Sequence, residues 1–296
     1  MNDNLKGALL MMLSMFAFLI NDVFMKLLSP DLPLFQAIFV RGVFTSFILL
    51  ALGLINFRNI FRDFQGNNFL ISLRTLGEIG GTYCFLTALF EMPIANLMMI
   101  LQTAPIALTL VSVFIFKESV KKYVAVALAA GFFGVLIILR PGMEGFDSYS
   151  ILGLGAVAFV VLRDLSTRQI KGNIRTIDVA FLGAFSITLI SGMVLLNIGW
   201  TPLSMQAVLY LLASTLALVI AYQLSIAVMR VGEVSFVSQF RYSAILWALI
   251  FGYLIFGEFP DVITLIGGGI IIVAGMMILW ANKNEKKVNS RSNKSF

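Results

Sequence analysis

Ten long apolar segments alternate with short polar separators along the chain. They run approximately Leu5–Leu28, Leu34–Ile55, Asn68–Phe90, Ile94–Phe116, Tyr123–Leu139, Ile151–Gln169, Val179–Ile198, Ala207–Met229, Val234–Phe256 and Val262–Trp280. Each is near the roughly 20 residues a helix needs to cross a hydrocarbon core. The apolar positions are continuous rather than alternating, which predicts helices and argues against a membrane barrel. The separators carry turn chemistry, as in Ser29-Pro30-Asp31, Glu91-Met92-Pro93, Arg140-Pro141-Gly142 and Trp200-Thr201-Pro202. The first run resembles a secretory leader at its start. It continues to about Leu28 without a small-x-small cleavage site, so it is expected to be a retained span. The fold class that follows is an all-α polytopic membrane protein of ten transmembrane helices. The polar stretch 282–296 is expected to be a disordered cytoplasmic tail.

Composition sharpens this picture. Of 296 residues, 59% are apolar and 12% are charged, against about 25% charged in an ordinary soluble domain. There is no histidine and a single cysteine, Cys84. Histidine-based catalysis, a thiolate metal site and an internal disulfide are thereby excluded, and no metal or cofactor is expected. The net charge of +6 is not a nucleic-acid signal, because the basic residues sit in loops flanking the spans. With the N-terminus in the cytoplasm, fifteen Lys and Arg fall on that side, among them Arg58, Arg62, Lys117, Lys121, Lys171, Arg175 and Arg230. Only Lys26 and Arg140 fall on the other side, where Lys26 is expected to be an interfacial anchor. Both termini are therefore expected inside.

The chain repeats itself. Shifted by 140 residues, Phe114-Ile115-Phe116-Lys117-Glu118 falls on Leu254-Ile255-Phe256-Gly257-Glu258. Shifted by 142, Asp22-Val23-Phe24-Met25-Lys26 falls on Asp164-Leu165-Ser166-Thr167-Arg168. Two halves of five spans follow, residues 5–140 and 151–281, joined near Met143–Ser150. Five is odd, so the second half enters the membrane upside down. Inverted repeats of this kind build the central site of many secondary transporters, although duplication also occurs in membrane proteins that transport nothing.

Seven charges lie within spans: Asp22, Arg41, Arg74, Glu78, Arg163, Asp164 and Arg241. A charge at the bilayer centre costs roughly 3 kcal/mol or more, so each needs a partner or a wet cavity. Arg74 and Glu78, four apart, can pair on one helix, whether for structure or for function. Arg163 and Asp164 are neighbours expected to point different ways. Arg41 and Arg241 have no carboxylate three or four positions away. Each can bind an anionic substrate group or pair with another helix, Arg41 for example with Asp22 or Glu78. In the fourth span Gln102 precedes Pro105, which frees a carbonyl and bends the helix. Gln102 falls on Tyr242 at the 140 shift, so equivalent helices supply polar groups at equivalent depth. The substrate contacts expected are Arg41, Gln102, Gln239, Arg241 and Tyr242. Asp22, Arg74, Glu78 and Asp164 form the expected proton-coupling or charge network.

Several of these stretches resemble the EamA-type branch of the drug/metabolite transporter superfamily. They are Asn21-Asp22-Val23 with Lys26, Arg41-Gly42, Met92-Pro93-Ile94-Ala95-Asn96, Ala104-Pro105-Ile106, Phe240-Arg241-Tyr242 and Phe256-Gly257-Glu258-Phe259-Pro260-Asp261. The resemblance covers Leu5 to Trp280. It implies two inverted four-helix units around a central cavity, with the fifth and tenth spans at the outer edge. It further implies a multi-pass protein of the bacterial inner membrane, monomer or homodimer, that moves a small organic molecule by alternating access. Riboflavin uptake is the first expectation. S-adenosylmethionine uptake, or export of an amino acid or drug, is the alternative. An intramembrane enzyme would have only Asp22 and Asp164 as a dyad, and the repeat puts these near opposite membrane faces. A scaffold that transports nothing would leave Arg41 and Arg241 without a role.

Overall fold

The computed structural model describes residues 3–55, 66–116, 122–140, 148–170, 174, 176–228, 231 and 234–292. Arg58, Arg62, Lys117, Glu118, Lys121, Lys171, Arg175, Arg230, Lys294 and most of the Met143–Ser150 junction lie outside the described residues.

Every regular element among the described residues is helical. In chain order the helices are α1 (Asp3–Leu27), α2 (Leu34–Ile55), α3 (Asn68–Glu91), α4 (Ile94–Leu101), α5 (Ala104–Phe116), α6 (Lys122–Leu139), α7 (Tyr149–Gln169), α8 (Thr176–Ile198), α9 (Met205–Val228), α10 (Val234–Val237), a 3₁₀ turn (Ser238–Tyr242), α11 (Ser243–Phe256) and α12 (Val262–Ser292). Long apolar runs form helices because only a helix satisfies its own backbone where water is absent.

Seven stretches among the described residues are long and apolar enough to cross a membrane. They lie in α1, α2, α4–α5, α7, α8, α9 and the 3₁₀ turn with α11. Val124–Leu139 and Val262–Ile278 are shorter apolar helices. The remaining expected span, α3, has 24 residues but carries Arg74, Glu78 and Glu91. Two of the expected spans are not single helices. The fourth is α4 and α5, interrupted at Gln102-Thr103, and the ninth is α10, the 3₁₀ turn and α11. At the C-terminus, α12 continues past Trp280 to Ser292, through most of the expected disordered tail. Residues such as Lys283, Glu285, Lys286 and Lys287 are ordinary helix formers, and no proline or glycine interrupts them.

The chain divides into two compact units. Unit 1 comprises Met1–Leu19, Met92–Ile151 and Ala221–Phe296, and unit 2 comprises Ile20–Glu91 and Leu152–Ile220. Each unit therefore draws on both sequence halves.

Within unit 1, α6 and α12 pack antiparallel. Arg140, just beyond the end of α6, bonds Asp261 and Thr264 at the start of α12. One and a half turns earlier, Gly134 faces Gly267 and Ile271. A Cβ at Gly134 would sit 2.9 Å from Ile271 Cγ1, so only glycine lets these two backbones come so close. The buried residues Ile106, Ala127, Ile271, Ala274 and Ile278 form a core beside this contact.

Within unit 2, α2 and α8 also run antiparallel. Gln36 near the start of α2 donates to the Thr201 carbonyl just past α8 (2.6 Å) and accepts from the Thr201 N–H (2.9 Å). Leu49, toward the far end of α2, shares a buried cluster with Phe181 near the start of α8.

Candidate functional site

Two spans of unit 1 are broken, and the break in the fourth follows from local sequence. At the end of α4 the Thr103 N–H turns back to the Ile100 carbonyl (3.0 Å), and the Thr103 hydroxyl donates to the same oxygen (2.6 Å). Pro105 has no N–H, so the Leu101 carbonyl loses the donor four residues ahead. The ladder resumes with the Ala107 N–H on Thr103 (2.9 Å). In the other broken span the four residues of α10 pass into the tighter turn Ser238–Tyr242 before α11 begins.

The two breaks meet. Gln102 Nε2 donates to the main-chain carbonyl of Arg241 at 3.0 Å. Residue 102 corresponds to 242 at the 140 shift, so the contact joins nearly equivalent points of the two halves. Gln102 and Gln239 are half-buried, and Arg241 is exposed. Tyr242 is buried, its ring seated against Gly275 of α12, and its hydroxyl has no hydrogen-bond partner. The structure thus brings Gln102 and Arg241 together, while the Tyr242 hydroxyl is turned to α12.

Unit 2 handles its polar groups differently. Arg41, on α2, is buried and donates from Nη1 to Asn21 Oδ1 (3.1 Å). Ser214, on α9, donates to the same oxygen (2.8 Å), and Asn21 Nδ2 donates to Asp22 Oδ1 (2.8 Å). Asn21 is thus the hub through which a guanidinium, a hydroxyl and a carboxylate are joined. Arg41 is thus linked to Asp22, one of its two expected partners, through Asn21. Lys26, expected at the interface, is buried in the last turn of α1.

Glu78 engages other cations. Its Oε2 lies 3.6 Å from Arg74 Nη1 and 3.7 Å from Arg163 Nη1, linking α3 to α7. Arg163 Nε also donates to Asp164 Oδ1 at 3.0 Å. The expectation that these neighbours point apart is corrected. Their Cβ atoms do diverge on the helix, but the long guanidinium stem folds sideways far enough to reach the adjacent carboxylate. Two cations and two carboxylates therefore form one chain of ion pairs.

Outside the spans, Asp261 caps the first turn of α12. It accepts from the Thr264 N–H (2.7 Å) and is bonded by Arg140. The Arg140 hydrogen bond and the bonds with Thr264 hold this carboxyl down to about 2. Glu258 Oε2 accepts from the Ile94 N–H at the start of α4 (3.3 Å).

Sequence reasoning missed Asn21 as a hub, Ser214 as its partner and the Arg140–Asp261 pair. The adjacent Asn21-Asp22 beside an intramembrane arginine is a usable signal for the first. Ser214 is one serine in an apolar helix and has no such signal.

Several helices long and apolar enough to cross a membrane, two spans of unit 1 broken at polar residues and buried charge within unit 2 describe a multi-pass membrane protein. The comparisons point to membrane transporters. Residues 5–140 match the EamA-like transporter family. It is 27% identical over 289 residues to an S-adenosylmethionine uptake transporter of Rickettsia prowazekii, covering 96% of this chain and 97% of that one. It is 28% identical over 301 residues to the protein of the same name from Rickettsia felis, covering all of both chains. A pseudopaline exporter, CntI, of Pseudomonas aeruginosa is 23% identical over 271 residues, covering 90% of this chain and 94% of that one. A crystal structure with 17% identity shares the fold at a TM-score of 0.59, covering 95% of this chain and 99% of that chain.

Proposed function

We propose that this protein takes up S-adenosylmethionine across a bacterial inner membrane by alternating access. The observation that carries this reading is the end-to-end similarity to uptake transporters of that name. These relatives favour S-adenosylmethionine over riboflavin. The substrate combines a carboxylate, an ammonium and sulfonium cation pair, and an adenine. The exposed guanidinium of Arg241 suits the carboxylate. Gln102 and Gln239 offer amides to an adenine edge or ribose hydroxyl, and the carbonyl freed by Pro105 suits a cationic or N–H donor. Tyr242 supports this surface rather than contacting the solute. Asp22, Arg41, Arg74, Glu78 and Asp164 act as a charge network that lets polar helices live in the membrane.

We read the architecture as two inverted five-helix repeats with both termini cytoplasmic. The antiparallel pairing of α6 with α12, and of α2 with α8, supports it. In each pair the two helices hold the same position in their halves, which is how an inverted duplication meets itself.

The test is purified protein in liposomes given labelled S-adenosylmethionine, with labelled riboflavin in parallel. Saturable accumulation of the first alone supports the reading. Accumulation of riboflavin alone, or of neither, removes it.

A further inference from the structure

Tyr242, an expected substrate contact, is buried with its hydroxyl against α12 rather than beside Gln102. Its ring is buried against α12 at a point where the chain has no side chain. A Cβ at Gly275 would overlap the Tyr242 hydroxyl and stand 2.6 Å from Cζ. No side chain larger than hydrogen can occupy 275 while Tyr242 keeps this position. The fit also explains why a hydroxyl without a hydrogen-bond partner is tolerated there: it fills a notch that would otherwise be a void.

We propose that Gly275 is a positioning residue: its missing side chain receives the Tyr242 ring and so sets the direction in which the 3₁₀ turn presents Arg241. Tyr242 closes the turn Ser238–Tyr242, and Arg241 precedes it. A 3₁₀ turn has about three residues per revolution, so neighbours point roughly 120° apart. Pinning one side chain into α12 therefore fixes the other. The carbonyl of Arg241 is at the same time held by Gln102, so the turn is anchored on both sides of the exposed guanidinium.

The other break has a similar support. Ile106, directly after Pro105, lies against Gly131 of α6, where a Cβ would be 3.2 Å from Ile106 Cγ2. The last span of each half, α6 and α12, thus carries a glycine notch that seats the broken helix of its own half. This gives the two edge helices a task beyond packing on each other.

The inference rests on the reading of Arg241 as a substrate contact, and a double-mutant cycle tests the two separately. Gly275→Ala, Tyr242→Leu and the double variant are reconstituted, and KM and maximal rate for S-adenosylmethionine are measured beside the melting temperature in detergent. Gly275→Ala should raise KM about tenfold with the maximal rate per folded transporter retained. In the Tyr242→Leu background the same change should cost nothing further in KM or melting temperature, because the notch is empty. Equal costs of Gly275→Ala in both backgrounds would overturn the seat, as would an unchanged KM in the single variant. If Gly275→Ala alone fails to fold, recovery of folded protein in the Tyr242→Leu background supports the seat, and failure there as well overturns it. Wild-type protein that moves no S-adenosylmethionine would defeat the substrate reading, while the melting cycle still decides whether Tyr242 is seated at Gly275.

Discussion

The two compact units solve the same problem in opposite ways. In unit 2 the helices run unbroken, and polarity is carried by side chains that satisfy one another, as Arg41, Asn21, Asp22 and Ser214 do. In unit 1 the backbone itself is interrupted, and Gln102, Gln239 and Arg241 at the interruptions are half-buried or exposed. A closed network is costly to open, because each member is left without a partner in a medium that offers none. An interrupted helix has groups to offer at little further cost. On the proposed reading, unit 2 is the rigid part and the breaks of unit 1 meet the solute.

The largest effect should come from opening the closed network. Arg41→Ala leaves Asp22 and Asn21 under-partnered and should cost about 3–5 kcal/mol of stability. This would be read as a steep fall in melting temperature and in folded yield. Arg41→Ala with Asp22→Asn should recover a good part of it. If Arg41→Ala leaves the melting temperature unchanged, the network is not what holds unit 2.

Arg241→Ala should behave in the opposite manner. The melting temperature should stay near wild type, while KM for S-adenosylmethionine rises about 10–100-fold, the worth of one charged hydrogen bond. A parallel fall in stability would erase the distinction between the units. Pro105→Ala is a finer probe. It returns an N–H to the Leu101 carbonyl and should raise the melting temperature slightly while slowing transport several-fold, because the break can now heal into continuous helix. Faster transport would contradict a role for the break.

The smallest effect lies outside the spans. The Asp261 carboxyl is lowered from 3.8 to about 2, chiefly by its Arg140 hydrogen bond. Its contribution to stability is complete above pH 3.8 and is lost as pH falls through about 2. Wild type should therefore lose more melting temperature than Asp261→Asn between about pH 5 and pH 3. Because Asp261 is half exposed, the difference should be no more than a degree or two. Identical pH profiles would show that the pair does not hold α12.

Much of this fold was legible in the sequence because the bilayer imposes one strong rule. Long apolar runs must be helices, and the segment ends at Leu34, Asn68, Ile94 and Val262 agree with the helix starts. The Gln102–Pro105 break was readable too, since proline's missing N–H is a covalent fact. The ninth span was not, because nothing in Val234–Phe256 breaks a helix by composition. The contact of its Tyr242 with Gly275, more than thirty positions away, is visible only once the helices are placed. The charges were visible as charges, but their partners depend on helix packing. Arg41 finds Asn21 and Glu78 finds Arg163 only once α1, α2, α3 and α7 are placed.

The most direct test is the concentration dependence of labelled S-adenosylmethionine uptake into liposomes holding wild type or Arg241→Ala at matched folded protein. The account predicts saturable uptake by wild type and a KM about 10–100-fold higher in the variant, with an unchanged melting temperature. Superimposable uptake curves, or no uptake by either protein, would contradict it.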